Sequence, residues 1–123
     1  MTFLYVGIGG AIGAMLRYGV TLSAARWLGA SFPYGTLAVN VIGSLVMGLC
    51  AGYFAARIGT NEAKLFIMTG LLGGFTTFSA FSLDAVTLWQ RGQFSVSALY
   101  ITASVVLAIG ALLIGLKLAR ILS

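Results

Sequence analysis

The sequence predicts an all-α membrane protein of four transmembrane helices, with the third helix broken near its middle. Three observations carry that expectation. The 123-residue chain is 60% hydrophobic and 7% charged, where a soluble domain carries roughly 25% charged residues. Its apolar residues fall into four runs, each long enough to cross a hydrocarbon core of about 30 Å at ~1.5 Å per helical residue. The third run also contains Gly73-Gly74-Phe75-Thr76-Thr77-Phe78-Ser79-Ala80-Phe81-Ser82 at mid-membrane depth. Each glycine weakens a helix interior by about 1 kcal/mol relative to alanine. The hydroxyls that follow can satisfy the backbone groups released by a break. Irregular backbone at that depth is tolerated only where it is buried in protein or lines a cavity. Channels and transporters use such breaks to face bare ions.

The first run extends from about Thr2 to Trp27. Gly9, Gly10, Gly13 and Ala14 give it a small-residue face suited to close helix packing. Arg17 falls near its centre, where arginine costs about 2.5–3.5 kcal/mol on insertion scales. Two readings stay open: a shifted helix boundary that surfaces Arg17, or a cation facing protein or a pore. Gly29 to Tyr34 is a short connection in which Pro33 is placed to open the next helix.

The second run, about Gly35 to Arg57, carries Asn40, with Ser44 one turn on along the same face. A lone membrane asparagine is either interhelical glue or a functional donor. Gly43, Gly48 and Gly52 allow close approach. Ile58 to Glu62 reads as a polar turn.

The third run, about Ala63 to Trp89, holds the break. Phe78 and Phe81 are three apart, hence neighbours if the helix resumes there. Asp84 is the one carboxylate inside an apolar run, about 12 Å along the helix from Thr76. It is either a helix-end acid or a pathway residue. Gln90 to Phe94 forms the next turn. On the fourth run, about Ser95 to Leu118, Tyr100, Ser104 and Ala108 share one face and Thr102 lies off it.

The basic residues lie mostly at helix ends, as interfacial anchors do. Arg57, Lys64, Lys117 and Arg120 fall on the side of both termini, Arg26 and Arg91 on the other. That is a weak bias towards cytoplasmic termini. The net charge of +5 forms no basic cluster with interleaved aromatics, so a nucleic-acid partner is not expected. The single cysteine, Cys50, permits no intrachain disulfide. MTFLYVGIGG lacks the positive n-region of a signal peptide.

There is no histidine, no cysteine cluster and no carboxylate pair, so an enzyme is not expected. A small pore, a small transporter or an accessory subunit remains. The polar residues inside the runs are neutral donors and acceptors: Asn40, Ser44, Thr76, Thr77, Ser79, Ser82, Tyr100 and Ser104. Such groups can partly replace a hydration shell without trapping an ion. The electropositive edge of a phenylalanine ring can face an anion. Four spans are too few for a generous pore, and their small-residue faces predict an oligomer, most simply a dimer.

Over essentially its whole length, the chain resembles the CrcB (Fluc) family of fluoride channels. The resemblance rests on GAMLRY around Arg17, PYGTLAVNVIGS around Asn40 and TGLLGGFTTFSAFS across the break. It implies a single transmembrane fluoride-channel domain over residues 1–123, in the cell inner membrane. It implies an antiparallel, dual-topology homodimer with two pores that release cytoplasmic fluoride passively and give fluoride resistance. Carried over, Phe78 and Phe81 match pore phenylalanines, Asn40 a pore asparagine, and Tyr100 and Ser104 a polar track. Ala108 stands where the track has a further hydroxyl, and Ala80 where the family motif has threonine. The backbone carbonyls of Gly73 and Thr76 match a structural sodium site shared by two subunits. Arg17 matches a vestibule or structural arginine, and Asp84 a position where relatives often carry glutamate. The alternative is a small multidrug resistance-type proton-coupled exporter, which wants a carboxylate deep in the first helix, and the first helix has none.

Overall fold

A computed structural model describes residues 1–56 and 60–122. Arg57, counted above in the charge balance, and Ile58 and Gly59 of the second turn lie outside the described residues. The helices are α1 (Thr2–Leu28), α2 (Tyr34–Ala56), α3 (61–75), α4 (Ser79–Gln90) and α5 (Phe94–Leu122). The third span is α3 and α4 together, and among the described residues four spans are long and apolar enough to cross a membrane.

The connections follow from local chemistry. Gly29 closes α1 with φ 86° and Gly92 follows α4 with φ 80°; both are left-handed conformations that glycine adopts without steric cost. The Pro33 carbonyl accepts from the Leu37 N–H at 3.2 Å, so the proline stands just ahead of α2. At the start of α3 the Thr60 side chain accepts from the Ala63 N–H at 3.2 Å, an ordinary N-cap.

Packing divides into two glycine-built seams. In the first, α1 lies against α3: a Cβ on Gly9 would meet the Phe66 carbonyl, and one on Gly74 the Gly10 carbonyl. In the second, α2 lies against α5: a Cβ on Gly48 would meet the Leu112 carbonyl, and one on Gly115 the Leu45 carbonyl. Backbones in contact leave no room for side chains, which is the small-residue packing expected between membrane helices.

The third span departs from expectation in two ways. Leu65–Leu72 is a π-helix, a rare conformation that concentrates at functional sites. The break itself comes after the glycines. Gly73 is helical, with φ −61° and ψ −39°, and the chain turns extended at Thr76, with φ −83° and ψ 159°. Gly73-Gly74 therefore does not form the break. Gly74 serves the close approach of α3 to α1, and the opening falls at Thr76, Thr77 and Phe78.

Candidate functional site

The break is built from four exchanges of hydrogen bonds. In an intact helix each carbonyl accepts from the N–H four residues on. Here the Thr77 N–H turns away from the Gly73 carbonyl and donates to Asn40 Oδ1 at 2.8 Å. Asn40 Nδ2 donates to the Thr77 carbonyl at 2.9 Å. The Gly74 carbonyl accepts from Arg17 Nε at 3.0 Å. The Ala80 N–H donates to Thr77 Oγ1 at 3.1 Å instead of to the Thr76 carbonyl. So Asn40 and Arg17 occupy groups that the break frees, while the Gly73 and Thr76 carbonyls are released from the helical ladder.

This decides between the open readings of Arg17. It is mid-helix in α1 and half-buried, with its guanidinium turned to the break of another span. A charged donor on a carbonyl is among the stronger hydrogen bonds, worth about 1.5–3 kcal/mol. That offsets much of the cost of placing arginine at this depth.

Beside the break lies a groove of about 300 Å³ lined by Asn40, Ser44, Thr76, Thr77, Phe78, Phe81, Ser104 and Ala108, with Val105 and Ile109. The Phe78 and Phe81 rings are neighbours, with centroids 5.5 Å apart. Ser104 Oγ is buried and makes no hydrogen bond of good geometry among the described residues, though it stands close enough to the Tyr100 hydroxyl to interact with it.

The polar inventory can be sorted by which protons remain. Thr76 Oγ1 donates to the Leu72 carbonyl at 2.9 Å and Ser82 Oγ to the Phe78 carbonyl at 3.0 Å. Those hydroxyls cap the backbone. Thr77 Oγ1 and Ser79 Oγ share one bond at 3.3 Å. Tyr100 OH donates to Asp84 Oδ2 at 3.2 Å. What is left for a guest in the groove is the second N–H of Asn40 with the hydroxyls of Ser44 and Ser104.

A second cavity of about 190 Å³ lies towards the α1–α2 connection, lined by Thr36, Asp84, Thr87 and Arg91 among others. A row of rings joins the two cavities. Phe81 lies 5.3 Å from Tyr100, Tyr100 5.5 Å from Phe32 edge-on, and Phe32 4.8 Å from Tyr34. Tyr100 is fully buried between them. Asp84 is thus no helix-end acid; it sits beneath Tyr100 at the wall of the second cavity.

Asn40, Phe78, Phe81 and Ser104 line one groove, with Gly73 and Thr76 at the adjacent break. Tyr100 and Asp84 form a pair one step away, and Arg17 stands on the α1 side of the break. Sequence reasoning passed over Thr36 and Phe32. Thr36 had a usable signal, since Thr36, Asn40 and Ser44 recur every four residues on one face of α2. Phe32 had none, being one ring in a short connection.

These features define a small multi-pass membrane protein with a groove beside its broken third span. The chain belongs to the CrcB family: it matches the family described as CrcB-like protein, Camphor Resistance (CrcB), over residues 4–116. It is 54% identical over 121 residues to the fluoride-specific ion channel FluC of Rhodopseudomonas palustris, covering 98% of each chain. It is 51% identical over 119 residues to the FluC of Paracoccus denitrificans, covering 97% of this chain and 94% of that one. With that of Agrobacterium fabrum it shares 52% identity over 116 residues, 94% and 93% of the two chains. Membership of this family, with four membrane-capable helices, makes it a multi-pass protein of the inner membrane and not an enzyme.

Proposed function

We propose that the chain is a fluoride-selective ion channel that lets cytoplasmic fluoride leave passively down its electrochemical gradient, lowering its level in the cell. The observation that carries this is the groove. The free Asn40 N–H, the Ser104 hydroxyl and the Phe78 and Phe81 rings converge there. Neutral donors can take over part of a small anion's hydration shell, and ring edges add a weak positive face. No full charge lines this groove, so an anion is stabilised without being trapped. The curated relatives are fluoride-specific ion channels by name, which favours this reading over a proton-coupled exporter.

The working unit is an antiparallel homodimer with two pores. In a single chain the groove is open on one side and Phe78 is 78% exposed; a second copy supplies the missing wall. The Gly73 and Thr76 carbonyls suit a structural sodium ion. They are hard, neutral oxygen donors whose usual N–H partners are engaged elsewhere. Two such oxygens per chain make a reasonable coordination set only when two copies meet. When bound, sodium neutralises the carbonyl ends of two broken helices. The chain's own work is to hold the break open, through Arg17, Asn40 and Thr77, and to keep the groove narrow. Asp84 lines the second cavity, with Tyr100 buried behind it.

Fluoride efflux from liposomes containing only this purified protein, read with a fluoride electrode, tests the proposal. Efflux of fluoride with none of chloride is expected. Folded protein that releases neither ion contradicts the channel reading.

A further inference from the structure

Asn40 has a role in the groove, but both of its hydrogen bonds go to one residue, Thr77. A backbone N–H can only donate and a carbonyl can only accept, so the amide orientation follows from Thr77 alone. The helix α2 is held near enough for this because a Cβ on Gly43 would meet the Thr76 methyl. In an unbroken helix the Thr77 N–H would close on the Gly73 carbonyl.

We infer that Asn40 is the positioning residue of the cation site as well as a donor in the anion groove. By taking the Thr77 N–H it keeps the Gly73 carbonyl free for a cation, while its remaining N–H faces the groove. One side chain then couples the two ion sites. The other releases do not depend on it. The Gly74 carbonyl is occupied by Arg17, and the Thr76 carbonyl is freed because Thr77 Oγ1 takes the Ala80 N–H. Only the Gly73 oxygen answers to Asn40. The inference rests on the reading that Gly73 and Thr76 carbonyls hold sodium.

Two substitutions separate the roles. Asn40 is half-buried in a membrane-spanning helix, and desolvation there favours the neutral carboxyl in Asn40→Asp. It still accepts from the Thr77 N–H and its O–H still donates to the Thr77 carbonyl, but it has no further N–H. Asn40→Leu removes both bonds, and the Thr77 N–H can return to the Gly73 carbonyl. The measurement is thermal unfolding of the purified full-length protein in sodium against N-methylglucamine at equal ionic strength, alongside fluoride efflux. The unmutated protein and Asn40→Asp should melt higher in sodium by the same amount. Asn40→Leu should lose that shift, and both variants should lose efflux. A full sodium shift in Asn40→Leu, or its loss in Asn40→Asp, overturns the inference. If Asn40→Leu does not fold, Asn40→Asp decides alone. Absence of any sodium shift in the unmutated protein contradicts the cation reading itself, and the inference falls with it.

Discussion

The α2–α5 seam and the broken third span lie side by side, and they are built by opposite means. The seam is made by removing side chains: Gly48 and Gly115 let carbonyls and Cα atoms touch directly. The break is made by adding polar side chains that reach in from other helices, Arg17 from α1 and Asn40 from α2. A seam of this kind leaves every backbone group in its own helix ladder. The break releases backbone groups and then occupies only some of them. Stability should therefore be concentrated in the seam, and ion handling in the break.

Loading the seam is the strongest way to test that division. Gly115→Val places a side chain onto the Leu45 carbonyl and the Leu49 N–H. Backbone cannot give way as a flexible side chain can, so the cost should reach or exceed the upper end of the ~1–3 kcal/mol of overpacking. The expected outcome is a large fall in folded yield and melting temperature, seen by size-exclusion chromatography and thermal unfolding. A normal melting temperature would mean that the seam is looser than its glycines imply.

At the break a smaller effect is expected. Thr77→Val removes the oxygen that accepts from the Ala80 N–H at 3.1 Å. Loss of a cap of this kind costs about 1 kcal/mol. The melting temperature should fall by a few degrees, with fluoride efflux reduced because α4 and its Phe81 lose their anchor. If efflux is untouched, the start of α4 is held by something else.

The smallest stability effect, and the sharpest contrast, belongs to Ser104→Ala. Its hydroxyl makes no hydrogen bond of good geometry among the described residues, so its removal should change stability little. Fluoride efflux should still fall. A marked loss of stability would show that the hydroxyl serves the fold and not the groove.

The same contrast explains what could be read from the chain. The seams were legible because a glycine pattern at helical spacing carries its own meaning: Gly9 and Gly13, or Gly48 and Gly52, need no knowledge of a partner to signal close approach. The four spans and the start of α2 after Pro33 were legible for similar local reasons. The composition of the break was legible too, but not its position. Two glycines suggest a weak helix, yet α1 packs against them and they stay helical, while the extended turn falls at Thr76. Arg17 and Asn40 could be singled out as costly, but their partners lie 57 and 37 residues away, and no periodicity encodes that. The Tyr100–Asp84 pair joins two spans at a separation of 16 residues and was equally hidden. The π-helical stretch of α3 has no sequence signal that we can identify.

The claim that the groove at the break is the ion path is tested most sharply by fluoride efflux from liposomes containing Phe78→Ala, beside the unmutated protein from the same preparation. Phe78 is 78% exposed in the single chain and contributes little to that chain's own core, so the variant should fold, with any loss of stability confined to its contact with the second copy. Efflux should be abolished while folding is preserved. Normal fluoride efflux from well-folded Phe78→Ala would mean that the ion passes elsewhere.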